Sequence, residues 1–317
     1  MTSVPVEPSA ADFQGNLLRR TALRWALATR PKFLTASVLP VLVGTAWGAA
    51  SGAGLDGLAF GLALLATVCV HAAANVFNDV GDELGGSDRD NAERIYPYTG
   101  GSRFIQNGVM SLRAMLALSA ALALIALALG AALAMLKGPV VVWLGLAGIS
   151  LGLCYSLPVV QLSGRGVGEA AIAVAFGVLP VCGAAWLQSG TFAGAAAWLA
   201  VPVSMWVAAI LLINEVPDRT ADAAAGKRTL AVRLGERGSR WLYAILHAVA
   251  AIGVSAAVLI GAVPTVVLAG PVILLAMAVQ AARQIGPDRM AMQRAIEMTL
   301  LVHAIGCVWL LGCALFA

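Results

Sequence analysis

The chain has 317 residues, 60% of them hydrophobic and 11% charged, and 20 Lys and Arg set against 16 Asp and Glu give a formal net charge of +4. So apolar a composition is incompatible with a water-soluble domain of this length and points to residence in a lipid bilayer. The small positive charge comes with no basic stripe and no aromatic stacking platform, which argues against a nucleic-acid partner.

Residues 1–18, "MTSVPVEPSAADFQGNLL", lack the basic and apolar regions of a cleavable signal and read as a short disordered tail. The next stretch, "RRTALRWALATRPK", is expected to lie as a partly amphipathic helix along the membrane interface. Residues 1–32 are thus a tail and interfacial segment, and residues 33–317 a single transmembrane domain. Nine apolar runs long enough to span follow, at 33–52, 57–77, 113–135, 139–157, 167–187, 194–213, 241–261, 264–282 and 296–315. Tight turns at Lys137-Gly138-Pro139 and Ala262-Val263-Pro264 divide the third from the fourth and the seventh from the eighth. Every Lys and Arg except Lys137 lies in the N-terminal segment or in a loop after an even-numbered run. The positive-inside rule therefore puts the N-terminus and those loops in the cytoplasm, with the chain in the inner (plasma) membrane. The expected fold is an all-α, polytopic bundle of nine transmembrane helices, because backbone groups in hydrocarbon must pair within the segment. Pro217, just past the sixth run, predicts a kink or a fresh helix start. The five cysteines, Cys69, Cys154, Cys182, Cys307 and Cys313, fall inside runs without CxxC spacing and are assigned to packing.

Acidic residues gather at two places. "NVFNDVGDELGGSD", residues 75–88, begins at the end of the second run. If the helix continues, Asn75, Asn78, Asp79 and Asp82 recur at three- and four-residue spacing and share a face. Like charges packed that closely repel, so a cation is needed, and all-oxygen donors suit Mg²⁺, which keeps waters and is completed by phosphate oxygens. "NEVPDRTADAAAGKRTLAVRLG", residues 214–235, follows the sixth run and sets Asp218 and Asp222 at i and i+4, with Asn214 or Glu215 one turn earlier. Four crossings separate the clusters, so both emerge on one side and read as a shared site rather than two solvated loops. Arg103 in "TGGSR", and Lys227 and Arg228 after the second cluster, add cationic donors beside glycine that suit phosphate oxygens. Carboxylates, a divalent metal and cations within an apolar bundle fit an isoprenoid diphosphate, its head at the acids and its tail among the helices or in lipid.

At these residues the chain resembles the intramembrane aromatic prenyltransferases of the UbiA superfamily, in particular the 1,4-dihydroxy-2-naphthoate polyprenyltransferase branch of the menaquinone pathway. The resemblance runs from "ATRPKFLTASVLPVLVGTAWG" at 28–48 to "GKRTLAVRLG" at 226–235. The family's Asn-Asp-x-x-Asp motif matches at Asn78, Asp79 and Asp82, and its Asp-x-x-x-Asp motif at Asp218 and Asp222. Gly86 stands where many members carry another Asp, and the later Asp88, in "GSD", is similar to the naphthoate branch. "YSLPVVQLSGRGVGE", residues 155–169, looks like the family's stretch between the fourth and fifth spans, which implies Tyr155, Arg165 and Glu169 at the cavity mouth. An ionisable Glu169 just inside a span is functional by default, whereas Tyr155 is equally well read as an interfacial anchor. His71 shares the face of Asn75 but is read as a bundle residue outside the site.

The resemblance implies that Asp79, Asp82, Asp218 and Asp222, with Asn78, hold two Mg²⁺ on a polyprenyl diphosphate. Asn75, Asp88, Asn214 and Glu215 join the substrate-binding set, and Arg103, Lys227 and Arg228 offset the charge of the leaving diphosphate. An allylic cation then alkylates an aromatic acceptor, which regains aromaticity by losing a proton or, for the naphthoate, carbon dioxide. The general base is open between carboxylates such as Asp88 and Glu215. The acceptor is open too: 4-hydroxybenzoate, homogentisate, a quinolone-like heterocycle or a porphyrin would use the same site, and prenyl length is unreadable. A transporter would need polar residues at the middle of the third, seventh, eighth and ninth runs, which hold little beyond the isolated His247 and His303.

Overall fold

Apolar runs shielded from water can satisfy their backbone only by coiling, and the computed structural model, which describes residues 7–14, 17–89, 91–192 and 194–315, contains helices and no strand among those residues. The helices are α1 (Leu17–Ala28), α2 (Thr35–Gly48), α3 (Gly57–Gly85), α4 (Leu112–Lys137), α5 (Val140–Ser156), α6 (Gly168–Ser189, with a π-helical turn at Val174–Val178), α7 (Gly194–Ala224), α8 (Leu230–Leu259, kinked by a non-helical residue, Gly235, with φ of 65°), α9 (Ala269–Gln284) and α10 (Arg289–Leu315). Each apolar run coincides with one of α2 to α10. Among the described residues seven segments are long and apolar enough to cross a bilayer, while α5, an apolar helix of 17 residues, and α9, of 16, are shorter.

Sequence sets the ends. Asp56 caps α3 by accepting from the Ala59 amide at 3.0 Å, Ser111 caps α4, and Thr229 caps α8 through the Val232 amide at 3.2 Å. Gly86, with φ of 82°, ends α3 in the left-handed conformation that terminates helices. At 29 and 31 residues, α3 and α7 are each about 45 Å long at 1.5 Å per residue, well beyond a hydrocarbon core of about 30 Å. Their last turns, which carry both acidic motifs, therefore project past the apolar slab.

One expectation needs correcting and another narrowing. Residues 1–6 and 15–16 lie outside the described residues, but 7–14 do not trail freely. Glu7 accepts from Arg94 Nε at 2.7 Å, and the Phe13 ring lies 5.7 Å from that of Phe104, because these contacts neutralise and cover groups of the loop 86–111. Nor does α7 restart at Pro217. It runs through both Pro202 and Pro217, since packing on several sides holds the helix where the proline merely frees the Ile213 carbonyl.

The core sits around α7. Val203, Trp206, Leu212 and Ile213 are buried against α8 and α10, where Gly306 lies on the Trp206 ring so closely that a Cβ would stand 2.5 Å from it. Small residues bring α2 onto α6: a Cβ at Gly44 would lie 2.2 Å from the Val181 carbonyl oxygen, and one at Gly48 2.4 Å from that of Ala185.

Candidate functional site

The projecting ends of α3 and α7 face each other across a cavity of about 240 Å³. Asn75, Asn78 and Asp82 of α3 line it, with Asn214, Glu215, Asp218 and Asp222 of α7, Tyr155 of α5, Asp88 in the loop 86–111 and Lys227. The two motifs, far apart in sequence, thus form one site. Lys227 is the bridge: its Nζ lies 2.6 Å from Asp82 Oδ1 and 3.3 Å from Asp222 Oδ1. Burial pushes its ammonium towards neutrality, but Asp82 and Asp222 outweigh this and raise its pKa above the ordinary lysine value.

The remaining motif carboxylates are held by the loop. Asp79 Oδ2 accepts from the Ser102 amide at 3.0 Å, and Oδ1 stands 3.8 Å from Arg30 Nη1. Asp218 accepts from Asn91 Nδ2 at 2.7 Å and from the Gly100 amide at 3.1 Å. Gly101, with φ of 72°, passes so near that a Cβ there would lie 2.3 Å from Asp88 Oδ2 and 3.2 Å from Asp79 Oδ1. Burial first, then the charges of Asp82, Asp79 and Asp218, push the Asp88 carboxyl well above the usual carboxylate range. Such crowding marks a site that favours added positive charge.

Among the described residues no three acidic or imidazole groups stand together as a ready-made metal cage. The donor set nevertheless fits a hard cation shared with a ligand. Asp79 Oδ1, Asp88 Oδ2 and Asn214 Oδ1 are buried oxygens with no hydrogen-bond partner, and all are oxygen donors of the kind Mg²⁺ takes while leaving positions for water and phosphate.

Not every expected residue reaches the cavity wall. Asp79 is buried just behind it. Arg103 is buried too, donating to the Asp88 carbonyl and lying 3.7 Å from Glu7. Arg165 is exposed and donates to the Val159 carbonyl at 2.9 Å, and Arg228 is exposed. Glu169 is buried against Glu215. Conversely, the sequence reading missed Arg30, Asn91, Thr99 and Gly100, and it left out His71, which lines the cavity and pairs with Ser37 Oγ at 2.9 Å. A cation ahead of a proline in "ATRPK" was the one local signal for Arg30.

A second cavity of about 360 Å³ lies between α3, α4, α5 and α6, lined by apolar residues, glycines and Thr67. Thr67, Val70, Gly148 and Ala175 line both cavities, so the two lie side by side across a shared wall. The Thr67 hydroxyl donates to the Ala63 carbonyl at 2.8 Å, so it is satisfied within its own helix.

Comparison with known proteins follows this geometry. The model of the UbiA prenyltransferase family matches residues 37–305. A 1,4-dihydroxy-2-naphthoate octaprenyltransferase of Haemophilus influenzae is 33% identical over 235 residues, 72% of this chain and 74% of the relative. A protein of the same description from Mycobacterium tuberculosis is 33% identical over 267 residues, 84% of this chain and 86% of the relative. A solved UbiA homologue of Archaeoglobus fulgidus bound to DMAPP and Mg²⁺ shares the fold with a TM-score of 0.65 at 18% identity, covering 90% of this chain and 99% of its own.

Proposed function

Because this chain belongs to the UbiA prenyltransferase family, a family of multi-pass membrane enzymes, we propose that it transfers a polyprenyl group from its diphosphate to 1,4-dihydroxy-2-naphthoate in menaquinone biosynthesis. The observation that carries this reading is the single cavity in which Asp82, Asp218 and Asp222 meet beside Lys227, next to an apolar chamber with which it shares Thr67, Val70, Gly148 and Ala175, the neck that a bound tail would pass. An anionic head and a long apolar tail need such a pair of compartments. The naphthoate acceptor is supported by the descriptions of relatives that match most of the chain.

In this mechanism Asn78, Asp79, Asp82, Asp218 and Asp222 would hold two Mg²⁺, whose chemistry is to bridge the diphosphate and draw off its charge as it leaves. Lys227 gives the departing diphosphate an ammonium partner, with Arg30 and Arg103 nearby to lower the local anionic charge. The apolar walls at Phe33, Val207 and Ile210 keep water from the allylic carbon. The site faces the cytoplasm across the inner membrane, and residues 33–317 act as one domain with 1–32 as an attached segment.

The test is an assay of purified protein in detergent with a polyprenyl diphosphate, with Mg²⁺ or with EDTA, against the naphthoate and 4-hydroxybenzoate. Prenylated naphthoate with Mg²⁺, and none with EDTA, is the expected result; transfer only to 4-hydroxybenzoate would discard the acceptor while keeping the chemistry. The neck gives a separate prediction. A Cβ at Gly148 meets nothing within 4 Å, so α5 tolerates a larger side chain there. Gly148→Leu should fold normally, keep transfer of a short prenyl group and lose about tenfold or more on long chains, read as relative kcat/KM. Equal kcat/KM losses on all chain lengths would show that the tail does not pass the neck.

A further inference from the structure

We infer that Glu7 is a positioning residue for the diphosphate site: it ties the N-terminal segment to the loop 86–111 and, through Arg94 and Arg103, sets the loop groups that hold Asp79 and Asp218. The inference rests on the reading of those carboxylates as the metal and diphosphate site, and it names what orders them from outside the cavity.

The segment is seated on the loop by several contacts. Asn107 Nδ2 donates to the Pro8 carbonyl at 2.8 Å, and Pro8 is buried. The Phe13 ring packs on Phe104, which sits with Val76 and Val80 of α3 in one apolar cluster. Glu7 turns both carboxylate oxygens onto the loop. Its Oε1 accepts from Arg94 Nε at 2.7 Å, and its Oε2 accepts from Asn107 Nδ2 at 3.3 Å and lies 3.7 Å from Arg103 Nε. Burial alone would raise the pKa of this carboxyl, but the bonds from Arg94 and Asn107 outweigh it and hold the group below its ordinary value, as an anion.

Each guanidinium leads on to a motif carboxylate. Arg94 donates to the Asn91 carbonyl, and the Asn91 side chain donates to Asp218 at 2.7 Å. The Arg94 side chain also lies against Gly100, where a Cβ would stand 2.7 Å from it, and the Gly100 amide donates to the same Asp218. Arg103 donates to the Asp88 carbonyl, and the amide of its neighbour Ser102 donates to Asp79 at 3.0 Å. Arg103 is held at φ of 65°, a left-handed conformation that residues with a side chain rarely adopt, and its Nε is buried without a hydrogen-bond partner among the described residues. A buried cation on a strained backbone needs a fixed anion, and Glu7 supplies one from outside the cavity. Without it, the charges of Arg94 and Arg103 are left to the acids of the site, where they compete with an incoming cation.

The experiment uses the full chain in detergent. It reads Mg²⁺-dependent binding of an uncleavable prenyl thiolodiphosphate, the Mg²⁺ half-saturation of transfer, the KM of the naphthoate and the melting temperature. Glu7→Gln keeps the shape and removes the charge. It should weaken thiolodiphosphate binding and raise the Mg²⁺ half-saturation by about tenfold each, the scale of one hydrogen bond to a charged group, with the KM of the naphthoate unchanged. Glu7→Asp, which restores the charge, should recover most of both. Arg94→Gln cuts the same tie from the loop side, and the double variant should lose no more than Arg94→Gln alone. Asp12→Asn is the control: it loosens the turn Ala10–Phe13, where Asp12 accepts from the Ser9 amide at 2.7 Å, and should leave binding at the wild-type value. Wild-type binding in Glu7→Gln, additive losses in the double variant, or an equal loss in Asp12→Asn would overturn the tie. A wild-type chain that binds no thiolodiphosphate with Mg²⁺ would instead overturn the reading of the carboxylates as a diphosphate site.

Discussion

Asp82→Ala should reduce prenyl transfer by about 10²–10³-fold or more, the scale expected when one directed electrostatic contact to a leaving group is lost. The substitution removes the anion 2.6 Å from Lys227 Nζ and leaves that ammonium to Asp222 alone. It also deletes one of the oxygen donors that face the diphosphate position. Because Asp82 sits on the projecting end of α3 and packs little apolar surface, membrane insertion and yield should be unchanged. Asp56→Asn is the control from the opposite end of the same helix, where the side chain caps Ala59 and pairs with Lys137 at 2.9 Å. That variant should show a lower melting temperature and normal turnover. Wild-type turnover in Asp82→Ala would remove this carboxylate from the site, and a comparable fall in Asp56→Asn would show that the assay reports folding.

Gly101→Ala should cost both stability and activity. At φ of 72° any other residue is strained by about 1–2 kcal/mol, and the new methyl would enter the space of Asp88 Oδ2. The loop must then move, and with it the amides of Gly100 and Ser102 that hold Asp218 and Asp79. Gly86→Ala isolates the backbone term: its φ is 82°, yet a Cβ there meets nothing within 4 Å. Both variants should therefore melt lower, Gly101→Ala by more than Gly86→Ala because of the added clash, and only Gly101→Ala should lose transfer, by about 10²-fold. Equal activity in the two would mean that the loop does not position the carboxylates.

The spans were legible because their signal is local: about twenty apolar residues between charge and glycine need no knowledge of neighbours. The acids were legible for the same reason, since Asn75 to Asp82 and Asp218 to Asp222 repeat at helical spacing. Arg30 and Asn91 were not, because each matters only through a partner remote in sequence, Asp79 for one and Asp218 for the other. Of the two outcomes read at Pro217, a kink or a fresh start, the fresh start does not occur, because burial on several sides holds the helix across the proline. Arg165 and Arg228 are harder to read from sequence, because whether a cation beside a motif enters the cavity or lies on the exposed side depends on the turn that carries it, and both are exposed here.

The position of Lys227 between Asp82 and Asp222 bears on the order in which ligands load. The chain supplies its own counter-ion, so a divalent ion arriving alone competes with a tethered rival held at high effective concentration. Arriving with a diphosphate, it gives that rival a new anion to follow. On the proposed function, metal and diphosphate would then raise each other's affinity by the same factor, a reciprocity that thermodynamic linkage requires. Such a site would select the pair of ligands at once, and the free cation of the surrounding water would be a poor occupant of it.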